Sequence, residues 1–181
     1  MRRDPTYAMD HQPEFVLSMQ TALALELGSS HRVGGVARTW TPVPASPTAT
    51  RDHAFVALLS ALRPFGGLMR VDDLADVLVR RGHGDHASLA RAIVSGELIS
   101  FEWNRDYWIP VFQLDGYSLV LKSGARKAVA QLAGVFDGWD LSIWFATPNP
   151  WLAERAPVQV IEEDEDAVAD AARAARFIVK G

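Results

Sequence analysis

Cysteine is absent from this 181-residue chain, and so is any excess of positive charge. Without cysteine the chain has no disulfide scaffold, no thiolate nucleophile and no Cys-ligated zinc or iron–sulfur site. No segment approaches the roughly 20 uninterrupted apolar residues that a membrane-spanning helix needs. The net charge of -4 gives no overall attraction to a polyanion. The basic N-terminus is followed by no apolar segment typical of a signal peptide, so we expect a cytoplasmic protein with no membrane partner.

Catalytic signatures are also missing. The sequence contains no GxSxG, no P-loop, no GxGxxG after a strand and no HExxH. His83 and His86 flank Gly84-Asp85, but such residues occur more often in a short loop between two helices than in a metal site. The acidic run 162–166 lacks the glycine and spaced oxygens of a cation cage. We therefore predict no catalytic residue, no metal site and no cofactor, and expect that the protein is not an enzyme.

Composition divides the chain into three segments. Residues 1–50 combine a helix candidate over 13–27, ended by Gly28, with a Gly-, Pro-, Ser- and Thr-rich stretch. Proline favours extended backbone, so this stretch is predicted to be a flexible linker. The prolines within this stretch are Pro42, Pro44 and Pro47.

The second segment, 51–114, combines helical and strand patterns. Apolar spacing predicts helices over 52–62 and 71–80, and a third that Asp85 or Ser88 caps and that ends near Val94. Two stretches rich in aromatic and β-branched residues, 98–103 and 107–114, then predict a β-hairpin. Because Pro110 cannot donate to a neighbouring strand, the second hairpin strand is expected at the edge of the sheet.

Two helices followed by a hairpin suggest a helix-turn-helix with a wing. In that motif the second helix enters the major groove and other basic residues meet phosphates. Against this, the segment carries seven basic and eight acidic residues, so a purely structural or protein-binding helix-turn-helix is the open alternative. The candidate base-reading residues are Ser88, Arg91 and His86, and the candidate phosphate contacts are Arg80, Arg81 and Arg105.

The third segment, 115–181, is predicted to be all helix. Helices are expected over 122–132, 137–146 and 157–161, and from Asp164 or Asp166 to Ile178. The spacing of apolar residues predicts one shared core. Its expected members are Val129, Leu132, Leu141, Trp144 and Phe145. The final helix also has a face of small residues that would let another surface approach closely, formed by Ala167, Ala171, Ala174 and Ala175.

One motif in this segment is more specific. Trp139-Asp140-Leu141 and Trp144 precede the turn 147–152, which reads Thr-Pro-Asn-Pro-Trp-Leu, and Arg155-Ala156-Pro157-Val158 follows. This pattern resembles the C-terminal toxin-binding domain of the Xre/MbcA/ParS antitoxin family. The resemblance extends over residues 70–181. The family usually carries glycine between the leucine and the Arg-x-Pro, where this chain has Ala153-Glu154.

The resemblance implies a mainly α fold: a helix-turn-helix-like region with a small hairpin wing, followed by a helical toxin-binding domain. It implies an antitoxin of a type II toxin–antitoxin system whose partner is a RES-domain, NAD-consuming toxin. It further implies a homodimer that represses its own operon by binding operator DNA. The alternative is a stand-alone DNA-binding regulator without a toxin. The residues expected at the toxin are Asn149, Trp151, Arg155, Arg173 and Arg176.

Overall fold

The computed structural model describes residues 47–180, with side chains from residue 50 onward. The helix predicted over 13–27 lies outside the described residues. The described part is mainly helical, with seven α-helices and a small antiparallel sheet. The α-helices are α1 (Pro47–Leu62), α2 (Val71–Arg81), α3 (His86–Val94), α4 (Ser123–Leu132), α5 (Gly138–Ala146), α6 (Pro157–Val160) and α7 (Glu165–Lys180). The strands are β1 (Leu68–Arg70), β2 (Phe101–Trp103) and β3 (Asp106–Pro110).

Helix α1 begins five residues before its predicted start at 52. Pro47, expected in the extended linker, is its first residue. Proline is well tolerated at the first position of a helix, because the N–H that it lacks has no partner in the first turn. The other predicted helices agree with the structure to within two residues at each end.

The sheet corrects one expectation. Its order is β1-β3-β2, with both pairs antiparallel, so β3 is the central strand and not an edge strand. The additional strand, β1, was not predicted. Pro110 is tolerated because it is the last residue of β3, opposite Leu68, and the following N–H, from Val111, donates to the oxygen of Gly67 at 2.9 Å.

Two hydrophobic clusters form the interior. The smaller lies beneath α2 and α3 and includes Leu74, Leu89 and Ile109. The larger cluster joins α1 and the hairpin residue Phe101 to all four C-terminal helices, α4 to α7. It therefore includes residues on both sides of the boundary predicted between the second segment, 51–114, and the third, 115–181. The five predicted core residues, from Val129 to Phe145, are all buried in this larger cluster. No helix within residues 47–180 is long and apolar enough to cross a membrane.

Helices α4 and α7 make the most extensive contact of any two helices in the described range. They run in the same direction, since Ser123 and Lys127 contact Glu165 while the oxygen of Gln131 contacts Arg176. Small residues on both helices permit this approach. A Cβ atom at Gly124 would lie 3.0 Å from the Glu165 side chain at the start of α7 and 2.9 Å from the Ile161 side chain before it, so this position on α4 has no room for a larger residue.

Candidate functional site

Helix α3 begins at a reciprocal cap. The Asp85 carboxylate accepts a hydrogen bond from the Ser88 N–H at 2.7 Å, and the Ser88 hydroxyl accepts one from the Asp85 N–H at 3.0 Å. The pKa of Asp85 is lowered by the hydrogen bond from the Ser88 N–H and, to a smaller extent, by hydrogen bonding of the Asp85 carboxylate with the Ser88 side chain. Both residues that the sequence offered as caps therefore take part. The Ser88 hydroxyl, expected at a base edge, is engaged in starting the helix.

The four arginines predicted to bind DNA have different surroundings. Arg81 donates to the main-chain oxygen of Tyr117 at 3.3 Å, which ties the end of α2 to the loop before α4. Arg80, Arg91 and Arg105 are exposed, and their side chains make no hydrogen bond or ion pair with any residue in the described range. Three guanidinium groups thus remain available to a ligand.

The outer face of α3 is mostly small and apolar. A shallow groove follows it, lined by Ser88, Ala90, Arg91, Val94 and Glu97 among others. The Val94 side chain is 88% exposed, the highest value for a large apolar residue in the described range. Sequence reasoning did not single out Val94, although its position one turn after Arg91 on the same helix was visible. This face therefore carries one basic group beside an exposed apolar one.

A turn with several internal hydrogen bonds leads out of α5. Asn149 is buried, and its side-chain oxygen accepts a hydrogen bond from the Trp151 N–H at 3.0 Å. Its main-chain N–H donates to the oxygen of Arg155 at 3.1 Å, and its main-chain oxygen accepts from Glu154 at 3.1 Å. Asn149, which was predicted to contact the toxin, is therefore a buried residue whose hydrogen bonds stabilise the turn.

Arg155 holds the same turn from the other side. Its guanidinium forms a two-pronged ion pair with Glu163, at 2.8 and 2.9 Å, and also donates to the oxygen of Gln159 at 2.9 Å. The hydrogen bonds between Arg155 and Glu163 lower the pKa of Glu163 and raise the pKa of Arg155. Two-pronged pairing restricts geometry as well as adding attraction. The turn is thereby fixed to the connection between α6 and α7.

Trp151 is the residue that this turn presents to solvent. Its side chain is 67% exposed, whereas Leu152, the next residue, is buried. The two positions where the family usually has glycine adopt left-handed backbone, with φ of 53° at Ala153 and 60° at Glu154. The chain thus keeps the glycine-type conformation without glycine. Of the three turn residues predicted at the toxin, Trp151 alone is exposed without an intramolecular bond from its side chain.

The two arginines of α7 have partners within the chain. Arg176 donates to the oxygens of Gln131 at 2.8 Å and Ala133 at 3.2 Å, where α4 ends and its carbonyl groups lack helical partners. Arg173 pairs with Asp170 on the same helix. Both residues therefore have structural contacts within the chain. Of the basic residues of α7, Lys180 lies in the last turn, where the helix dipole favours positive charge.

The small-residue face of α7 requires a correction. Ala171 and Ala175 are 1% and 3% exposed and belong to the main core. The surface that approaches them closely is α4 of the same chain and not a partner protein. The reason is that α4 also presents small buried residues, Gly124, Ala125 and Ala128, so the two helices fit each other.

Sequence reasoning missed the exposed apolar end of α7. Phe177 is 78% exposed and Ile178 is 52% exposed. Phe177 lies nine residues after the fully buried Val168, and nine residues of α-helix place two side chains on opposite sides. That spacing was present in the sequence and would have predicted an outward phenylalanine.

The histidines and carboxylates of the described residues are dispersed. Within 47–180, no three His, Asp or Glu side chains lie together so as to hold a metal ion. His83 and His86 lie on the exposed loop and first turn between α2 and α3.

Comparison of the chain with models of known protein families, with curated proteins and with solved structures finds no match.

Proposed function

We propose that this chain is the antitoxin of a type II toxin–antitoxin system, and that it binds and neutralises a partner toxin in the cytoplasm. The sequence resemblance over 139–161 suggests a RES-domain, NAD-consuming toxin as that partner. The proposed contact surface is the turn around Trp151 together with the exposed end of α7. The proposal requires no cofactor and no catalytic residue.

The exposure of Trp151 on a fixed turn carries this proposal. Tryptophan is enriched among the few residues that dominate the binding energy of protein interfaces. Leaving a large aromatic side chain in water is unfavourable, and Asn149 and Arg155 restrict the turn that displays it. A partner that covers Trp151 gains apolar burial with little loss of conformational freedom.

Co-expression with the toxin encoded by the adjacent gene tests the proposal. Trp151→Ala is expected to weaken co-purification and to abolish protection of cells from the toxin, while leaving the thermal unfolding midpoint unchanged. Tyr107→Ala is the matched control, because Tyr107 is 55% exposed but lies on the hairpin. Normal protection by Trp151→Ala would reject this contact surface. Failure of the wild-type chain to bind or to protect would reject the antitoxin function.

We propose operator binding and transcriptional repression as a second role, through the region that spans α2 to β3. Two helices joined by the short turn 82–85 and followed by a hairpin are the arrangement expected of a helix-turn-helix with a wing. The turn begins at Gly82, whose φ of 70° is easiest for glycine. The exposed guanidinium groups of Arg80 and Arg105 are available for phosphate contacts.

Binding to the promoter of the chain's own operon tests this role. Arg80→Ala and Arg105→Ala are each expected to weaken binding and to reduce its dependence on salt concentration, as loss of a phosphate contact does. Arg81→Ala is a useful comparison, since its guanidinium is bonded to the main chain of the 116–117 loop. No affinity of the wild-type chain for that promoter at low salt would reject the role and, with toxin binding intact, leave a protein-binding antitoxin.

A further inference from the structure

We propose that helix α1 holds the tip of the β2–β3 hairpin in place, and that Asp52 is the positioning residue through which it does so. Arg105 lies in the turn between the two strands. The inference rests on the proposed operator binding, because it concerns how the phosphate contact of Arg105 is directed. The role assigned to Asp52 is to fix the position of Arg105, not to contact DNA itself.

The outer half of the hairpin needs support from another element. Strand β1 pairs with β3 only along residues 108–110, so the last two residue pairs of the hairpin lie beyond the three-stranded part of the sheet. A two-stranded hairpin on its own is marginally stable. Trp103 and Asp106 form the final pair, and the turn beyond them is tight, with φ of 52° at Asn104 and 68° at Arg105. The direction of Arg105 is therefore set by whatever holds Trp103 and Asp106.

Helix α1 holds Trp103 by two contacts. The ring of Phe55 stacks on the indole, with centroids 3.7 Å apart and planes 2° from parallel. The indole N–H donates to the Asp52 carboxylate at 3.1 Å. Asp52 and Phe55 are three residues apart, so both lie on the same side of the helix. Stacked rings can slide over each other, whereas a hydrogen bond is directional, so the bond to Asp52 selects one orientation of Trp103.

The other side of the turn is held separately. The Arg70 guanidinium pairs with the Asp106 carboxylate at 2.7 Å, and Arg70 immediately precedes α2. On the α1 side, Arg51 also donates to the main-chain oxygen of Glu102 at 3.2 Å. The turn is thereby held to α1 through β2 and to the start of α2 through β3. Because Arg80 lies on α2, the two proposed phosphate contacts are held relative to each other.

Two substitutions of Asp52 separate its hydrogen bond from its charge. Asp52→Asn and Asp52→Ala both remove a negative charge that would repel phosphates, but only asparagine keeps an oxygen that can accept from the Trp103 indole. We expect Asp52→Ala to bind the operon's own promoter about fivefold more weakly than Asp52→Asn, the equivalent of one hydrogen bond. Alanine favours helix more than asparagine, so a weakened α1 cannot explain this loss. Because Asp52 is exposed, similar unfolding midpoints and equal toxin binding are expected for the two variants.

Removal of Arg105 shows whether the effect passes through the hairpin tip. In an Arg105→Ala background, Asp52→Asn and Asp52→Ala are expected to bind the promoter equally, because no phosphate contact remains to be positioned. Without DNA, hydrogen exchange of the backbone N–H groups of residues 104–106 is expected to be faster in Asp52→Ala than in Asp52→Asn.

Three results would overturn the inference while operator binding stands. They are equal promoter binding by the two Asp52 variants, equal hydrogen exchange at the turn, and a difference in promoter binding that persists without Arg105. Failure of the wild-type chain to bind the promoter at low salt would instead reject operator binding, and with it the positioning role of Asp52.

Discussion

The side-chain amide of Gln113 pairs with the backbone of Ile99 as a neighbouring strand would. Its oxygen accepts from the Ile99 N–H at 2.8 Å, and its nitrogen donates to the Ile99 oxygen at 2.9 Å and to that of Pro110 at 2.9 Å. The side chain is fully buried. Ile99 belongs to the main core and Ile109, next to Pro110, to the smaller one, so a single amide links the two.

Replacement of Gln113 is therefore expected to destabilise the whole described region. Gln113→Met keeps the size of the side chain but leaves three buried backbone groups without partners, each costing about 1–3 kcal/mol. We expect a loss of about 3 kcal/mol or more in the free energy of unfolding, measured by urea denaturation. Gln131→Met is the control, because its half-buried side chain makes no hydrogen bond. Equal effects of the two variants would contradict this account.

Trp144 is expected to be the most sensitive position of the main core. Its side chain is 1% exposed, and its indole packs edge-on against Phe145 with ring centroids 4.9 Å apart. Trp144→Ala should cost about 3–5 kcal/mol and leave little folded protein at 37 °C. The indole N–H has no hydrogen-bond partner, so Trp144→Phe removes an unsatisfied donor as well as volume and should cost less. The measurement is the thermal unfolding midpoint of both variants. An unchanged midpoint for Trp144→Ala would show that Trp144 does not contribute to the core.

Glycine is expected to stabilise the turn after Trp151. Ala153 and Glu154 occupy left-handed backbone, which costs an ordinary residue about 1–2 kcal/mol, while glycine gives back part of that gain through greater freedom in the unfolded chain. Ala153→Gly should therefore raise the free energy of unfolding by about 0.5–1 kcal/mol. Ala130→Gly, on the exposed side of helix α4, should lower it by about 1 kcal/mol. If both substitutions are destabilising, the backbone strain at Ala153 is refuted.

Stability is expected to fall between acidic and neutral pH because of Asp140. Burial, and then the nearby charge of Asp137, raises the pKa of Asp140 from 3.8 to about 6, although a hydrogen bond with the Asp137 backbone, and then the charge of Arg51, act in the opposite direction. The folded state thus holds this proton more tightly than the unfolded state, and loses stability as pH rises from about 4 to about 6.

Substitution of Asp140 isolates this effect. Asp140→Asn should stabilise the protein at pH 7 by about 1 kcal/mol, after allowance for solvent screening, and should have little effect at pH 3.5, where the aspartic acid is protonated. The measurement is the thermal midpoint across pH 3.5–7. Asp76→Asn, on the exposed surface of α2, is the control. An equal effect of Asp140→Asn at both ends of the range would show that its carboxyl does not titrate in this window.

The sequence predicted the helices well because their signals are local. The cap of α3, the left-handed glycine at Gly82 and the N-cap of α5 at Asp137 involve residues within a few positions of one another. By contrast, β1 is three residues long and lacks an alternating pattern of its own. Strand β1 exists because β3 supplies its hydrogen bonds, and that pairing places β3 at the centre of the sheet.

Close approaches between residues that are distant in the sequence could not be predicted from the sequence either. A Cβ atom at Gly138 would lie 1.8 Å from the main-chain oxygen of Ser100, so this first residue of α5 must be glycine. The sequence placed a helix start there but gave no reason for that residue. In the same way, the sequence identified Asn149, Arg155 and Arg176 as distinctive without revealing that each has a partner inside the chain.

By itself, the sequence determined the mainly helical class, where most helices begin and end, and which apolar residues form the core, because capping and apolar periodicity act over a few residues. Only the tertiary structure decided which distinctive side chains remain exposed. The alanine face of α7 was filled by α4, whereas Trp151, Val94 and Phe177 were left in solvent. The physical reason is that exposure depends on which distant segments pack together, and small residues fit a helix of the same chain as readily as a partner.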